Sequence, residues 1–371
     1  MKNKIFVSVF AALLALLTLL TPLTPKKDFS PNENRMLASF PALSAESVKD
    51  GSFTSGVATW LTDHFVLRDV WVSVKALCTL AMGRRENGGV YLGRGGVLLD
   101  GFSAADASRF DENLAALRRF TDLAVGQGVE VRSLIAPTAT CICADKLPAF
   151  AATADTEALF TALGSVPGFV DVRDTLSAHK EEDLYYRTDH HWTCRGAYLA
   201  YTDYARSLGL TAKDESAFAP APVTDAFFGT LYSRFGLFTG FTPDVITAPA
   251  DPGGVTLTGS RGETHASVYF PEKLAEKDKY LYFLGGNDSI VQIETAADPS
   301  KKLLLIKDSY ANAFLPFLLG DYGHITVLDL RYYTGSVPAL LESGGYTDVL
   351  VLYNLKSFAS DVNFRFLDFA D

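Results

Sequence analysis

The chain is 371 residues long, 48% hydrophobic and 20% charged, with a formal net charge of −10. That length and apolar content can bury a large core and leave room for one large or two modest domains. The acidic balance, with no basic run longer than a pair such as Lys26 and Lys27, argues against nucleic acid or anionic lipid as the main partner.

A basic head over residues 1–4 precedes an apolar run over 5–23, closed by Pro22, Pro25, Lys26 and Lys27. This segment, residues 1–25, reads as a signal peptide or signal anchor outside the fold. No small-x-small cleavage site marks its end, and the run approaches the ~20 residues that span a bilayer. The expectation is an uncleaved anchor carrying the rest of the chain outside the cytoplasm, or a secreted protein if it is cleaved. Residues 26–85 form a lead-in: 29–41 is extended and turn-rich, and 55–82 has helical spacing with Trp60, Leu61, Phe65, Leu67, Val70, Val74 and Leu77 as its apolar stripe.

Residues 86–371 are expected to form one α/β domain. A hairpin over 90–92 and 97–99 and an amphipathic helix over 111–125 open it. From residue 129 strands and helices alternate, with strands at 129–136 and 169–172 and helices at 174–180 and 193–207, the last opened by Thr193 as N-cap. Residues 214–278, rich in Pro, Gly and Thr, read as an irregular insertion roofing a site, followed by a strand over 280–284. Then come a strand at 302–306, a helix through 319, a strand at 324–330, a helix at 336–342 and a strand at 347–353. Continuous apolar strands alternating with helices predict a parallel sheet with helices on both faces. Cys78, Cys141, Cys143 and Cys194 lack the CxxC pairs of a zinc site. They read as buried free thiols, with a disulfide left open for an exported chain.

Two stretches carry chemistry. Asp189, His190 and His191 place a carboxylate and two imidazoles in consecutive positions. In an extended segment residues i and i+2 share a face, so Asp189 and His191 are expected on one side and His190 on the other. An Asp that orients a His is the supporting half of a nucleophilic triad, although a solvated turn or packed histidines have the same composition. Metal binding by the three is a second reading, but adjacent histidines rarely converge on one ion without further ligands. Ser309 is the candidate nucleophile. It sits where a buried strand stops and a helix begins, at the sheet edge where α/β enzymes keep their sites, and an N-cap serine is the competing reading.

Asp189-His190-His191-Trp192 followed by Gly196-Ala197-Tyr198, with Lys307-Asp308-Ser309-Tyr310-Ala311-Asn312 downstream and Glu33-Asn34-Arg35 with Phe40-Pro41 upstream, resembles the DHHW family. That family is related to the SGNH-hydrolase-like domains of alginate-type O-acetyltransferases, and the resemblance covers nearly the whole chain after the apolar head. It implies an SGNH-like α/β fold with circularly permuted motif order, because the Asp/His pair here precedes the serine. It assigns Ser309 as nucleophile, His191 as general base then acid, and Asp189 as its orienter.

In that fold an asparagine ending the third strand counted from the nucleophile strand supplies an oxyanion donor. Asn354 occupies this place, whereas Asn287, in a superficially matching Gly-x-Asn-Asp block, does not. Tyr310 and Asn312 beside the serine, and Arg331 and Tyr332 at the end of the next strand, are the expected substrate contacts. The implied activity is serine-dependent transfer or removal of an acetyl group on an envelope or exported polysaccharide. It needs no metal or organic cofactor, and a membrane-bound acyltransferase is the implied acyl donor. The alternative is a catalytically idle carbohydrate-binding or scaffold protein of the cell envelope.

Overall fold

The structure, a computed structural model, describes residues 2–369. The chain divides into two compact units, residues 1–88 with 232–241 and residues 89–231 with 242–371.

In the first unit the apolar head is helical over Lys2–Leu20 and tightens to a 3-10 turn over Thr21–Leu23. Pro22, which has no N–H to donate back to the helix before it, falls where the regular helix gives way. Among the described residues, Lys4–Leu23 is the one helical segment long and apolar enough to cross a membrane. The single helix expected over 55–82 is two, Ser52–Asp63 and Arg68–Ala81.

Two features make the break. Leu67 takes a left-handed backbone with φ 57°. Asp63, at the end of the first helix, accepts Arg35 at 2.5 and 3.0 Å and the Ala38 N–H at 2.8 Å. The hydrogen bond from Arg35 holds the Asp63 carboxyl down to about 2. Glu33 pairs with Arg68, so Glu33 and Arg35 of the lead-in bind both helix ends. The apolar spacing runs through the break, which is why periodicity alone reads one helix.

The second unit is built on a seven-stranded sheet. Its strands are β1 (Glu130–Ala136), β2 (Thr256–Thr258), β3 (Thr264–His265), β4 (Ile290–Glu294), β5 (Lys302–Lys307), β6 (His324–Leu328) and β7 (Asp348–Asn354), in the order β3-β2-β4-β6-β5-β7-β1. The run β6-β5-β7-β1 is parallel, while β4, β2 and β3 continue it antiparallel. The sheet is therefore mixed rather than wholly parallel. The added strands are short, and β4 buries alternate residues only, as antiparallel strands with one wetted face do. They lack the continuous apolar run that marks β5 and β7.

Successive residues of β5 feed two cores. Leu303 and Leu305 pack with Trp192, Tyr204 and Phe314, and Leu304 and Ile306 with Phe110, Phe120, Leu341 and Phe358. The first core is covered by α2 (Cys194–Ser207) and α3 (Ala311–Phe314). The second is covered by α1 (Phe110–Gly126), α4 (Val337–Gly344) and α5 (Leu355–Ser360). Helices lie on both faces, as expected.

Two short expected strands are not strands. Residues 169–172 contribute a single bridge, Ser133 to Phe169. The aromatic run at 280–284 begins as a 3-10 turn over Lys279–Tyr282. Tyr280 and the three successive side chains Tyr282, Phe283 and Leu284 are buried, which a turn allows and a strand with one wet face does not. All four cysteines are free, and Cys78 is exposed rather than buried.

Candidate active site

Asp189, His190 and His191 lie on a bend, not an extended strand. Its ends are drawn together by a bridge between Tyr185 and Trp192 and by bonds from the Tyr186 N–H to the His191 carbonyl and from the Thr193 N–H to the Leu184 carbonyl. Asp189 makes the bend locally, since its Oδ1 accepts the His191 N–H at 3.0 Å, the side-chain turn that Asp favours. Thr193 then caps α2 by accepting the Gly196 N–H. A Cβ on Gly196 would sit 2.5 Å from the Leu184 carbonyl oxygen, so the helix starts this close to the bend only with glycine.

The serine stands on a second turn of the same kind. β5 ends at Lys307, Asp308 Oδ1 accepts the Tyr310 N–H at 2.9 Å, and Ser309 projects between them. The indole of Trp192 links the two turns by donating to the Tyr310 carbonyl at 2.9 Å. Between them, His191 Nδ1 donates to Asp189 Oδ1 at 2.5 Å, and His191 Nε2 lies 2.8 Å from Ser309 Oγ. With the proton on Nδ1, Nε2 is left to accept from the hydroxyl.

His191 and Asp189 are buried. Burial drives the imidazole down to about 4, helped by His190 and resisted by the Asp189 carboxylate, so it is neutral at neutral pH. Burial pushes the Asp189 carboxyl up. His190, His191 and the Thr230 N–H outweigh it and leave the group well below the usual carboxylate range. The arrangement is a polarised proton path from a hydroxyl to a fixed imidazole.

Residues far along the chain hold the bend. Asp244 accepts the Arg187 and Thr188 N–H groups, each at 2.8 Å, and the Thr188 hydroxyl. Thr230 donates its N–H to Asp189 Oδ2 at 2.7 Å. A Cβ at Gly229 would come within 2.2 Å of the Asp189 Cβ. Tyr280 stacks on the His191 ring, with centroids 3.8 Å apart and planes 11° from parallel. The segment 214–278 expected to roof a site thus supplies Gly229, Thr230 and Asp244 as supports. Asp244, a carboxylate opening the apolar strand Asp244–Ala248, was the signal available in the sequence.

Several expected roles are not met. His190 does not face away: its ring centroid is 3.9 Å from that of His191, and its Nδ1 is 3.6 Å from Asp189. The bend removes the alternation that an extended chain would impose.

Asn354 ends β7 as expected, but both hydrogens of its amide are committed. One goes to Asp308 Oδ2 at 2.6 Å and the other to Ser357 Oγ at 2.7 Å, while its Oδ1 caps α5 by accepting the Ser357 N–H. No donor is left for an oxyanion. Tyr310 and Asn312 are buried rather than open to substrate: the Tyr310 hydroxyl is spent on the His190 carbonyl, and Asn312 accepts from Lys307 Nζ at 2.9 Å.

Lys307 is itself buried and lies 3.6 Å from Asp329. Burial pushes its pKa down against the pull of Asp329. Arg331 forks onto Asp329, and the exposed Tyr332 meets Asn287 at 3.4 Å. These two remain at the surface. The Ser309 N–H has no hydrogen-bond partner among the described residues.

Asp189, His190 and His191 also bring candidate ligand atoms within 4.8 Å of one another. Each carboxylate oxygen already accepts an N–H, and the His191 nitrogens face Asp189 and Ser309. An ion there would have to break those contacts.

Comparison with known proteins agrees with the motif. The family model described as DHHW protein matches residues 33–113 and 86–328. No curated protein matches the chain. Among solved structures, a DHHW family protein from Eubacterium siraeum is similar with 26% identity and a TM-score of 0.63, covering 76% of this chain and 95% of that one. Bacillus cereus PatB1, solved with a sulfonyl adduct, shares the fold with 19% identity and a TM-score of 0.59, over 73% of this chain and 97% of that one. On the span of the family match, which runs from the Glu33 lead-in through the Asp-His-His-Trp bend to β6, this chain belongs to the DHHW family.

Proposed function

We propose that the chain is a membrane-attached, extracytoplasmic serine O-acyltransferase or esterase. Its substrates would be acetyl groups on an envelope or exported polysaccharide, with residues 86–371 as a circularly permuted SGNH-like catalytic domain. The observation that carries the chemistry is the unbroken chain of contacts from Asp189 through His191 to Ser309, at 2.5 and 2.8 Å. The acetyl and polysaccharide assignments rest on the motif resemblance, as does a membrane-bound acyltransferase as donor. Arg331 and Tyr332 are the residues proposed to meet substrate.

Ser309 Oγ attacks the acyl carbon while its proton passes to His191 Nε2. The oxyanion that forms faces the free Ser309 N–H. Nε2 then returns the proton to the departing oxygen, leaving an acyl-serine. A sugar hydroxyl or water gives its proton to Nε2 and attacks the ester, and Nε2 passes that proton to Ser309 Oγ as its bond to the acyl carbon breaks. Asp189 holds the tautomer throughout, and Asn354 acts at one remove by fixing Asp308 under the turn.

The reading is tested with phenylmethanesulfonyl fluoride and intact-mass and peptide mapping, since a sulfonyl fluoride reacts with an activated hydroxyl. Stoichiometric labelling at Ser309 is expected. A chain that stays unlabelled under conditions that modify a serine hydrolase is instead a binding or scaffold protein.

The pH dependence follows from His191. Its neutral form is the active one, and burial lowers its pKa from 6.5 to about 4. Activity is therefore present above that value and lost as pH falls through it. Hydrolysis of a nitrophenyl acetate should halve near pH 4, and an acid limb at the ordinary histidine value of about 6.5 would refute the buried neutral imidazole.

Attachment rests on Lys4–Leu23. Expressed full-length, the chain should remain in the membrane pellet after carbonate extraction. Soluble protein beginning beyond Pro25 would replace the anchor with a cleaved signal.

A further inference from the structure

We infer that Tyr280 is a positioning residue that sets both the plane and the basicity of the His191 imidazole and ties it to the nucleophile turn. The inference rests on the serine-nucleophile reading above. Tyr280 makes two contacts with the site at once. Its ring stacks on His191 at 3.8 Å and 11°, and its hydroxyl donates to the Ser309 carbonyl at 3.1 Å.

The His190 ring centroid is 3.9 Å from the same imidazole, tilted 36°. Two rings with centroids this close to that of a third cannot share one of its faces, so His191 is held between His190 and Tyr280. An imidazole clamped on both faces cannot turn about its Cβ–Cγ bond. That leaves its two nitrogens aimed at Asp189 and Ser309.

The clamp is stiff on the Tyr280 side. The turn over Lys279–Tyr282 is zipped to the neighbouring segment by bonds from the Phe270 N–H to the Tyr282 carbonyl and from the Leu284 N–H to the Val268 carbonyl. The ring is also packed against Tyr186 and Phe283.

The two faces act oppositely on the proton. The π face of a tyrosine attracts a cation, so Tyr280 favours the imidazolium that forms as Ser309 attacks. His190 and Lys307 disfavour it when charged, and Asp189 favours it. The Tyr280 hydroxyl fixes the Ser309 carbonyl, while Trp192 fixes that of Tyr310. The two peptide units that follow Ser309 are thereby held in register with the imidazole.

The test uses the full chain and needs no knowledge of the natural substrate. The rate of Ser309 modification by phenylmethanesulfonyl fluoride, in which Oγ–S forms, S–F breaks and the hydroxyl proton goes to Nε2, is followed by intact mass in parent, Tyr280→Phe and Tyr280→Leu. The unfolding midpoint is measured alongside.

Tyr280→Leu should slow labelling ~10²-fold, the cost of a misplaced base, and move the acid limb of the pH–rate profile lower. A residue that only fills space would not move that limb. Tyr280→Phe keeps the stack and loses one neutral hydrogen bond, so it should slow labelling less than ~10-fold with the limb unmoved.

A folded Tyr280→Leu labelled at the parent rate would overturn the inference. If Tyr280→Leu does not fold, a ~10²-fold loss or a shifted limb in Tyr280→Phe would do the same. Absence of Ser309 labelling in the parent would remove the nucleophile reading itself, and with it this one.

Discussion

Replacing Ser309 with alanine should lower turnover of an acetyl ester by ~10⁴-fold or more, the range seen when one member of such a triad is removed. The loss should fall on kcat, because, among the described residues, Ser309 Oγ is the hydroxyl that His191 Nε2 meets, at 2.8 Å. Folding should be spared, since the serine side chain has that one hydrogen-bond partner among the described residues and Trp192, Tyr280 and Asp308 hold the turn without it. His191→Ala should do nearly as much damage, and the double variant little more than either alone, because the two residues act as one unit.

Asn354→Ala is the informative contrast. Its amide serves the buried Asp308 carboxyl, which burial has already pushed above the usual range. Its cost should therefore appear mainly as ~1–3 kcal/mol of stability from an under-served buried acceptor. Turnover by Ser309→Ala within ~10-fold of the parent would sink the serine mechanism.

Asp189→Asn should be nearly as severe, ~10⁴-fold in kcat, and the geometry gives the reason. Every partner of Asp189 is a donor: Oδ1 takes the His191 N–H and Nδ1–H, and Oδ2 takes the Thr230 N–H. An amide nitrogen at the Oδ1 position would oppose Nδ1–H and push the proton to Nε2, where it blocks acceptance from Ser309. At the Oδ2 position it would oppose the Thr230 N–H, and Gly229 already packs so close that a Cβ there would overlap Asp189.

Nitrogen NMR of the His191 ring should accordingly show a changed tautomer, or thermal unfolding should show a loss of ~1–3 kcal/mol. A variant with the parent's tautomer and turnover within ~10-fold would mean that Asp189 supports the bend without orienting the base.

Much of the second unit was legible because its signals are local. β5 and β7 are buried on both faces and so read as unbroken apolar runs. Thr193 announces α2 because a hydroxyl just before a helix can accept one of its unpaired N–H groups. Asp189-His190-His191 and Asp308-Ser309 were conspicuous because an aspartate two residues before an N–H makes its own turn, a property of the residue pair and not of its surroundings.

What the sequence alone left open was set by contacts between distant residues. Ser309 meets His191 across 118 positions, and only the sheet order and the Trp192 bond bring their turns together. The commitment of Asn354 to Asp308 depends on β5 and β7 pairing in the register that aligns Lys307 with Leu352. No spacing rule reports where an amide's hydrogens will go. His190 joined the site because Asp189 bends the segment and Asp244 and Thr230, distant along the chain, hold that bend where alternation would have left it extended. Tyr280 entered it because an aromatic run became a turn to bury every ring. Local chemistry thus singled out the candidate groups, and packing alone decided which side chains hold them.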